Sequence, residues 1–327
     1  MRFLPGGMEM NEFIDIRGLS IRSGESYLLR DVNISVSNHE TIAFIGESGS
    51  GKTMTLKSIL GILPEDTEKA EGSVFLCGHD IYSLSDKEKR GLLGSSVGFV
   101  PQNTVNYLHP LLRISDQMTD GYIAFHGRKE KRKAIEKAKE LLSRVGIDDG
   151  ERVLASYPSE LSGGMRQRVN IAAALMMEPS ILITDEPTSA LDRIVQKQVA
   201  DLYLSLVEEK HLSLIIVSHD LMLVRRIADK VAVFYSGRIV ESGSIDEVFS
   251  FPSHPYTRAL ISLTPSISLD KTKPLEEIKG YMKEEDRLTA GCSFASRCPY
   301  YTTECRNEIP ERAISDTHKV RCIREVV

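Results

Sequence analysis

The eight residues "GESGSGKT", Gly46 to Thr53, set three glycines, a lysine and a hydroxyl at the spacing G-x-x-x-x-G-K-S/T, directly after the apolar run "TIAFI". That order is the pattern of a phosphate cradle following a strand, rather than of a glycine-rich turn that holds nothing. Gly46, Gly49 and Gly51 let the backbone turn its amides inward, with Glu47, Ser48 and Ser50 between them. A β-phosphate would then lie at a helix N-terminus. Lys52 is expected to reach the β- and γ-phosphates, and the Thr53 hydroxyl to ligate Mg²⁺. Further on, "ILITDEP" ends an apolar run on Asp185, with Glu186 next. A carboxylate at Asp185 would hold the water shell of the Mg²⁺, and Glu186 would polarise a water for in-line attack on the γ-phosphate. Gln102 in "VGFVPQN" and His219 in "IIVSHD" also end strand-like runs. Parallel strands deliver such ends to one edge, where ligands bind. Gln102 is therefore placed near Mg²⁺ or the attacking water, and His219 near the γ-phosphate.

A second anion-binding start lies at "LSGGMRQR", residues 161–168. Ser162 is a good N-cap, Gly163 and Gly164 leave amides free, and a helix-forming run containing Gln167 comes next. One nucleotide is not readily wrapped by both cradles of one compact chain. Two copies set head to tail solve this, each closing the other's phosphate loop.

These positions need a scaffold. In "DVNISVS", Val32, Ile34 and Val36 alternate with Asn33, Ser35 and Ser37, the signature of a half-buried strand. "TIAFIG" is nearly all apolar, as a strand covered on both faces should be. "GSVFLCGHDI", "PSILITDEP", "LSLIIVSHD" and "KVAVFYSGRIVESG" read as further strands, with helical or turn segments between the later ones and helical character from about 103 to 165. Strands alternating with helices predict an α/β fold with a parallel, helix-covered sheet. The charged run 127–146 ends on Leu141, Leu142 and Val145 and reads as a solvated amphipathic helix. Near 244 the character changes to a proline-rich stretch and then a charged, linker-like one, which places a domain boundary around 244–265.

Composition narrows the classes. A chain of 327 residues that is 41% hydrophobic and 27% charged reads as a globular protein of one large domain and something smaller. A net charge of −5 argues against a nucleic-acid partner. No apolar run approaches membrane-spanning length, and the start lacks a signal-peptide core, so a cytoplasmic chain is expected.

Together, "GESGSGKT", Gln102, "LSGGMRQ", "ILITDEP", "SALD" and His219 stand in the order and spacing of the ATP-binding-cassette ATPases, which residues 12–245 resemble. The resemblance implies a phosphate-loop ATPase fold with a helical subdomain at about 103–165 that docks on a membrane permease. It also implies that Ser162 and Gly164 touch a γ-phosphate held by the opposite subunit. Glu186 is then the general base, His219 the switch histidine, and Asp192 a residue that communicates across the dimer. The family stacks an aromatic ring on adenine near residues 21–23; here Ile21, Arg22 and Ser23 occupy that place and Tyr27 is the nearest aromatic.

The stretch from "SHPYTRALISLTPSI" through "GCSFASRCPYYTTEC" to "HKVRCI" resembles the extension of oligopeptide, dipeptide and nickel importer ATPases, which defines a second region, 246–327. This second resemblance implies an ATPase subunit at the cytoplasmic face of the cell membrane. Its partners would be two permease subunits, a second ATPase of the same or a homologous kind and, indirectly, an extracytoplasmic solute-binding protein. The alternative is a soluble ATPase of the same fold, uncoupled from transport. Cys292, Cys298, Cys305 and Cys322, spaced C-x5-C-x6-C-x16-C, lack the close pairs usual in zinc sites. With the resemblance to cluster-bearing dipeptide importer ATPases, this points to a 4Fe–4S cluster, with zinc or four metal-free thiols as alternatives. Cys77 reads as a small apolar strand residue.

Overall fold

The computed structural model describes residues 12–102, 107–187, 193–210, 212–263 and 278–324. Asp192, with the rest of "SALD", lies outside these residues. Two compact units form, one from residues 1–84 and 217–327, the other from 85–216.

The first unit opens with β1 (Glu12–Ser23), β2 (Ser26–Ser37), β3 (Thr41–Ile45), α1 (Lys52–Ile59), β4 (Glu68–Leu76) and β5 (His79–Asp80). Strands β2, β1, β4 and β5 make an antiparallel sheet in that order. Its register sets Ile16 opposite Ile34 and Leu19 opposite Val32, and all four side chains are buried. This is the period-2 pattern of the sequence turned into one apolar face. β1 shows the same alternation in Ile14, Ile16, Leu19 and Ile21. Its bulges between Ile16 and Ile21 break the strict alternation, which makes it harder to read from sequence.

The second unit runs through α2 (Asp86–Ser96), β6 (Val97–Val100), α3 (Ile114–His126), α4 (Lys131–Arg144), α5 (Gly150–Ala155), α6 (Gly163–Ala174), β7 (Ile181–Asp185), α7 (Arg193–Lys210) and β8 (Ser213–Val217). Ser85 caps α2 through a capping box with Glu88, so the chain turns sharply into the helix. Strands β8, β7 and β6 lie side by side, β6 parallel to β7, and every residue of β7 and β8 is buried. A Cβ at Gly98 would stand 2.6 Å from the Ala174 carbonyl, so β6 needs glycine where the end of α6 passes. The charged run folds as expected, starting at Lys131 after a short turn: Ala134, Ala138, Leu141 and Leu142 are buried on α4 while Lys131, Lys133, Glu136 and Glu140 face outward.

The chain then returns to the first unit as α8 (Leu221–Ile227), β9 (Lys230–Tyr235), β10 (Arg238–Ser244), α9 (Ile245–Ser250), α10 (Pro255–Ser262), α11 (Glu285–Leu288), β11 (Arg312–Ala313) and β12 (Lys319–Val320). Strands follow the order β11, β12, β10, β9, β3, with β9 parallel to β3 and antiparallel to β10. The tail is joined to this sheet through β12, where Val320 pairs with Glu241. Glu241 is 1% exposed, and its carboxyl group accepts from the backbone amides of Ser253 (2.7 Å) and His254 (2.8 Å) and meets His318 Nε2 at 2.8 Å. Tyr256 and Phe294 of the tail cluster with Tyr235 of β9, ring centroids 4.8–5.4 Å apart, so aromatic packing seats the tail on the sheet.

Candidate nucleotide site

The phosphate loop belongs to the first unit. Buried β3 delivers the chain to Gly46, and φ is +141°, +76° and +112° at Gly46, Gly49 and Gly51. L-residues rarely adopt such values. Space forbids side chains as well: a Cβ at Gly46 would lie 2.2 Å from the Phe234 carbonyl oxygen, and one at Gly51 would lie 2.8 Å from Leu29 Cδ2. Glycine is therefore demanded twice over, by conformation and by contact. Gly51 occupies the N-cap of α1 and supplies no side-chain acceptor to its first-turn amides. Those amides converge with the helix dipole on one point suited to an anion.

Lys52 opens α1, and its buried ammonium group donates to the carbonyls of Gly46 (2.7 Å) and Glu47 (2.9 Å). Thr53 and Ser48 are exposed along the loop, while Ser50 is buried. His219 comes after β8, is exposed, and belongs to the same unit. The donor set, converging amides with a lysine and a hydroxyl, fits the phosphates of a nucleoside triphosphate, and the Thr53 hydroxyl is an oxygen ligand of the kind Mg²⁺ takes.

In the second unit, β7 ends on Asp185, which is buried, and Glu186 comes next at φ +46°. That left-handed turn is uncommon for a side-chain-bearing residue and costs on the order of 1–2 kcal/mol. It re-aims the chain just where the strand ends, and the Glu186 carboxylate accepts a hydrogen bond of 2.7 Å from Gln102 Nε2. Two residues 84 apart in sequence are thus brought together. Ser162 caps α6, its hydroxyl accepting from the Met165 amide at 3.3 Å, and is itself exposed. Around Gly163 there is open space, whereas a Cβ on Gly164 would come within 3.0 Å of Val195. Gln167 is buried within its own unit. Arg168 ties α6 down, donating to the Val145 carbonyl and to Gln198 Oε1, both at 2.7 Å.

At the place where the resemblance asks for an adenine stack, Tyr27 carries the Arg22 guanidinium 4.3 Å and that of Arg30 5.0 Å from its ring centroid. Arg22 also hydrogen bonds to the Tyr27 hydroxyl. Tyr27 is therefore engaged by two cations of its own chain.

The four tail cysteines share one neighbourhood. Burial pushes the Cys292 thiol up to about 12, and Cys298, Cys322 and Cys305 nearby add to the rise. Burial raises Cys298 and Cys322 in the same sense. Metal ligation requires thiolates, which this setting disfavours. Among the described residues no three His, Cys, Asp or Glu side chains are arranged to hold a metal ion. The residues as they stand do not support the expected 4Fe–4S or zinc site. Cys77 sits in a turn at φ +50°, partly exposed, rather than inside a strand.

Sequence reasoning passed over Tyr256, Arg287 and Arg297, all close to the phosphate loop in the folded unit. No period or spacing signals a tail that folds back on residues some 240 positions earlier; only the tail's arginines and aromatics were there to notice.

Residues 29–189 match the ABC transporter family, and residues 240–305 match the oligopeptide/dipeptide transporter C-terminal region. A putative peptide import ATP-binding protein of Brucella melitensis is 39% identical over 97% of this chain and 98% of its own. The dipeptide transport ATP-binding protein DppD of Bacillus subtilis is 37% identical over 96% and 95%. Among solved structures, cbiO1 of Clostridium perfringens, part of the ABC transporter complex cbiONQ, superposes with a TM-score of 0.64 at 28% identity, covering 74% of this chain and 92% of its own. The ATP-binding cassette MJ0796, solved as a dimer bound to ADP and Pi, gives 0.61 at 27% identity over 71% and 98%. The chain belongs to the ATP-binding subunits of ABC transporters, in the oligopeptide/dipeptide branch. It is thus an ATPase of a family that hydrolyses ATP to power transport. No described helix is long and apolar enough to cross a membrane.

Proposed function

We propose that this chain is the ATP-hydrolysing subunit of a peptide importer, working at the cytoplasmic face of the cell membrane. The observation that carries this reading is the pairing of a complete phosphate loop and its carboxylate pair with an importer-type tail in one chain. Residues 12–245 would form the nucleotide-binding domain, with its helical subdomain at about 103–165, and 246–327 the extension. By their motifs, Gly46 to Thr53 would hold the phosphates, Thr53 and Gln102 would be ligands of a Mg²⁺ that offsets phosphate charge, Asp185 would hold its water shell, and His219 would touch the γ-phosphate. Glu186 takes the proton of the attacking water, with Gln102 setting its carboxylate. The exposed cap of α6, with Ser162, Gly163 and Gly164, suits closure over a second subunit's nucleotide, with Gln167 behind it. Closure of two ATPase subunits would pull on two permease subunits and switch their access. A solute-binding protein would deliver the peptide outside; nickel or a related solute is the neighbouring choice of cargo.

Affinity purification from detergent-solubilised membranes should recover two multi-span permeases, with or without a second ATPase, identified by mass spectrometry. Recovery from the soluble fraction alone would sink the transport reading and leave the ATPase chemistry standing.

For the four cysteines, the spacing motivates a 4Fe–4S cluster, with zinc as the alternative, while the burial that raises the Cys292, Cys298 and Cys322 thiols opposes the thiolate form either would need. Metal analysis of anaerobically purified chain decides among them. Four irons per chain uphold the cluster, one zinc ion upholds the alternative, and neither metal leaves four reduced thiols.

A further inference from the structure

The importer-type tail grips the phosphate loop. Glu47, the second residue of the loop, receives both arms of the Arg297 guanidinium: Nη1 donates to Oε2 at 2.8 Å and Nη2 to Oε1 at 3.0 Å. This is a planar fork-to-fork pair, the strongest geometry open to the two groups. Arg297 is itself fixed. Its side chain is only 6% exposed, Nη1 also donates to the Tyr235 hydroxyl at 3.2 Å, and Nε donates to the Lys279 carbonyl at 3.0 Å. Burial works against its charge, but the hydrogen bonds to Glu47 and Tyr235 outweigh that and hold the guanidinium protonated.

Two further contacts come from the same tail. The Glu47 amide donates to the Tyr256 hydroxyl at 2.8 Å, and Arg287 Nη2 donates to the Gly49 carbonyl at 2.9 Å. A Cβ on Gly49 would stand 3.3 Å from Met282, so this side of the loop is covered as well. The tail thus holds the loop by the Glu47 side chain, the Glu47 amide and the Gly49 carbonyl. None of these groups belongs to the amides of Gly51 and the first turn of α1. Lys52 donates to the Glu47 carbonyl, so the residue that Arg297 fixes also sets where the lysine rests.

We infer that Arg297, acting through Glu47, is a positioning residue of the ATP site: the tail braces the phosphate loop in its phosphate-binding shape before nucleotide arrives. This rests on the ATPase reading above and adds to it a task for the tail. Preorganisation of a glycine-rich loop lowers the ordering cost of binding, so losing the brace weakens affinity for ATP more than it slows a bound nucleotide's chemistry.

The test is a double-mutant cycle on the full chain, with ATP affinity from a fluorescent ATP analogue and turnover from phosphate release. Arg297→Gln and Glu47→Gln should each raise the Kd and KM for ATP by about tenfold with kcat at saturation little changed. The double variant should be no weaker than either single one. Arg297→Lys should rescue only partly, because an ammonium cannot make the two-armed contact. Unfolding midpoints of all variants separate a loosened loop from a loosened fold. Unchanged ATP affinity in both single variants, additive losses, or losses that merely track the unfolding midpoint would overturn the inference. A wild-type chain that takes up no ATP would remove the ATPase reading itself, a result distinct from any of these.

Discussion

Glu186→Gln is expected to lower ATP turnover by about 10³-fold while leaving ATP affinity nearly unchanged. A positioned general base contributes on the order of 10²–10⁴-fold, and the amide cannot accept the water's proton. The replacement is otherwise mild. Glutamine is the same size, its carbonyl can still accept the 2.7 Å hydrogen bond from Gln102, and the left-handed backbone at φ +46° is as costly for one as for the other. The loss therefore reports the carboxylate's basicity rather than a rearranged strand end. With hydrolysis blocked, two ATPase subunits should stay closed on ATP, seen as an ATP-dependent rise in mass by light scattering. Turnover within tenfold of wild type would place the base elsewhere.

The largest effect on stability is expected at Glu241. Truncation to alanine would leave the amides of Ser253 and His254 without their acceptor and the ring of His318 without its carboxyl partner, all in the buried sheet edge that the tail joins. Orphaned buried donors cost about 1–3 kcal/mol each, and part of that is regained by relaxation, so Glu241→Ala should destabilise the fold by about 3–5 kcal/mol. Glu241→Gln should fall between, because it keeps one acceptor oxygen and turns the other into a donor facing donors. Urea unfolding monitored by circular dichroism measures both. A change under about 1 kcal/mol for the alanine variant would mean that water replaces the carboxyl group there.

Much of the candidate nucleotide site was legible because its chemistry is local. A cradle needs glycines at set positions, and a strand end needs its acid directly after an apolar run, so Gly46 to Thr53, Asp185 and Glu186 announce themselves within single short segments. The alternation in β2 and the apolar face of α4 were readable for the same reason: each is a period in one stretch of chain. The partnership of Gln102 with Glu186 was foreseen only as neighbours at one edge. What could not be read was the return of the tail. Arg297, Arg287 and Tyr256 are ordinary surface-type residues in sequence, and only tertiary structure puts them against Glu47 and Gly49. Cysteine spacing, likewise, carries no sign of the burial that raises the Cys292 thiol. At Tyr27 the nearest aromatic ring was visible, but not the two arginines of its own chain that engage it.

The first unit is assembled from two stretches with the whole second unit between them, and Ile42 of β3 finds its parallel neighbour only at Lys230 of β9. On a ribosome adding roughly 5–20 residues per second, β3 therefore emerges roughly 10–40 s before the strand it pairs with. The second unit, continuous in sequence, can finish folding within that delay. Throughout it the apolar phosphate-loop strand lacks this partner, and early collapse competes with the native pairing. Synthesis speed across residues 85–230 is thus a determinant of how much nascent chain reaches the native state, and slowing translation there should lower the yield of ATP-binding protein.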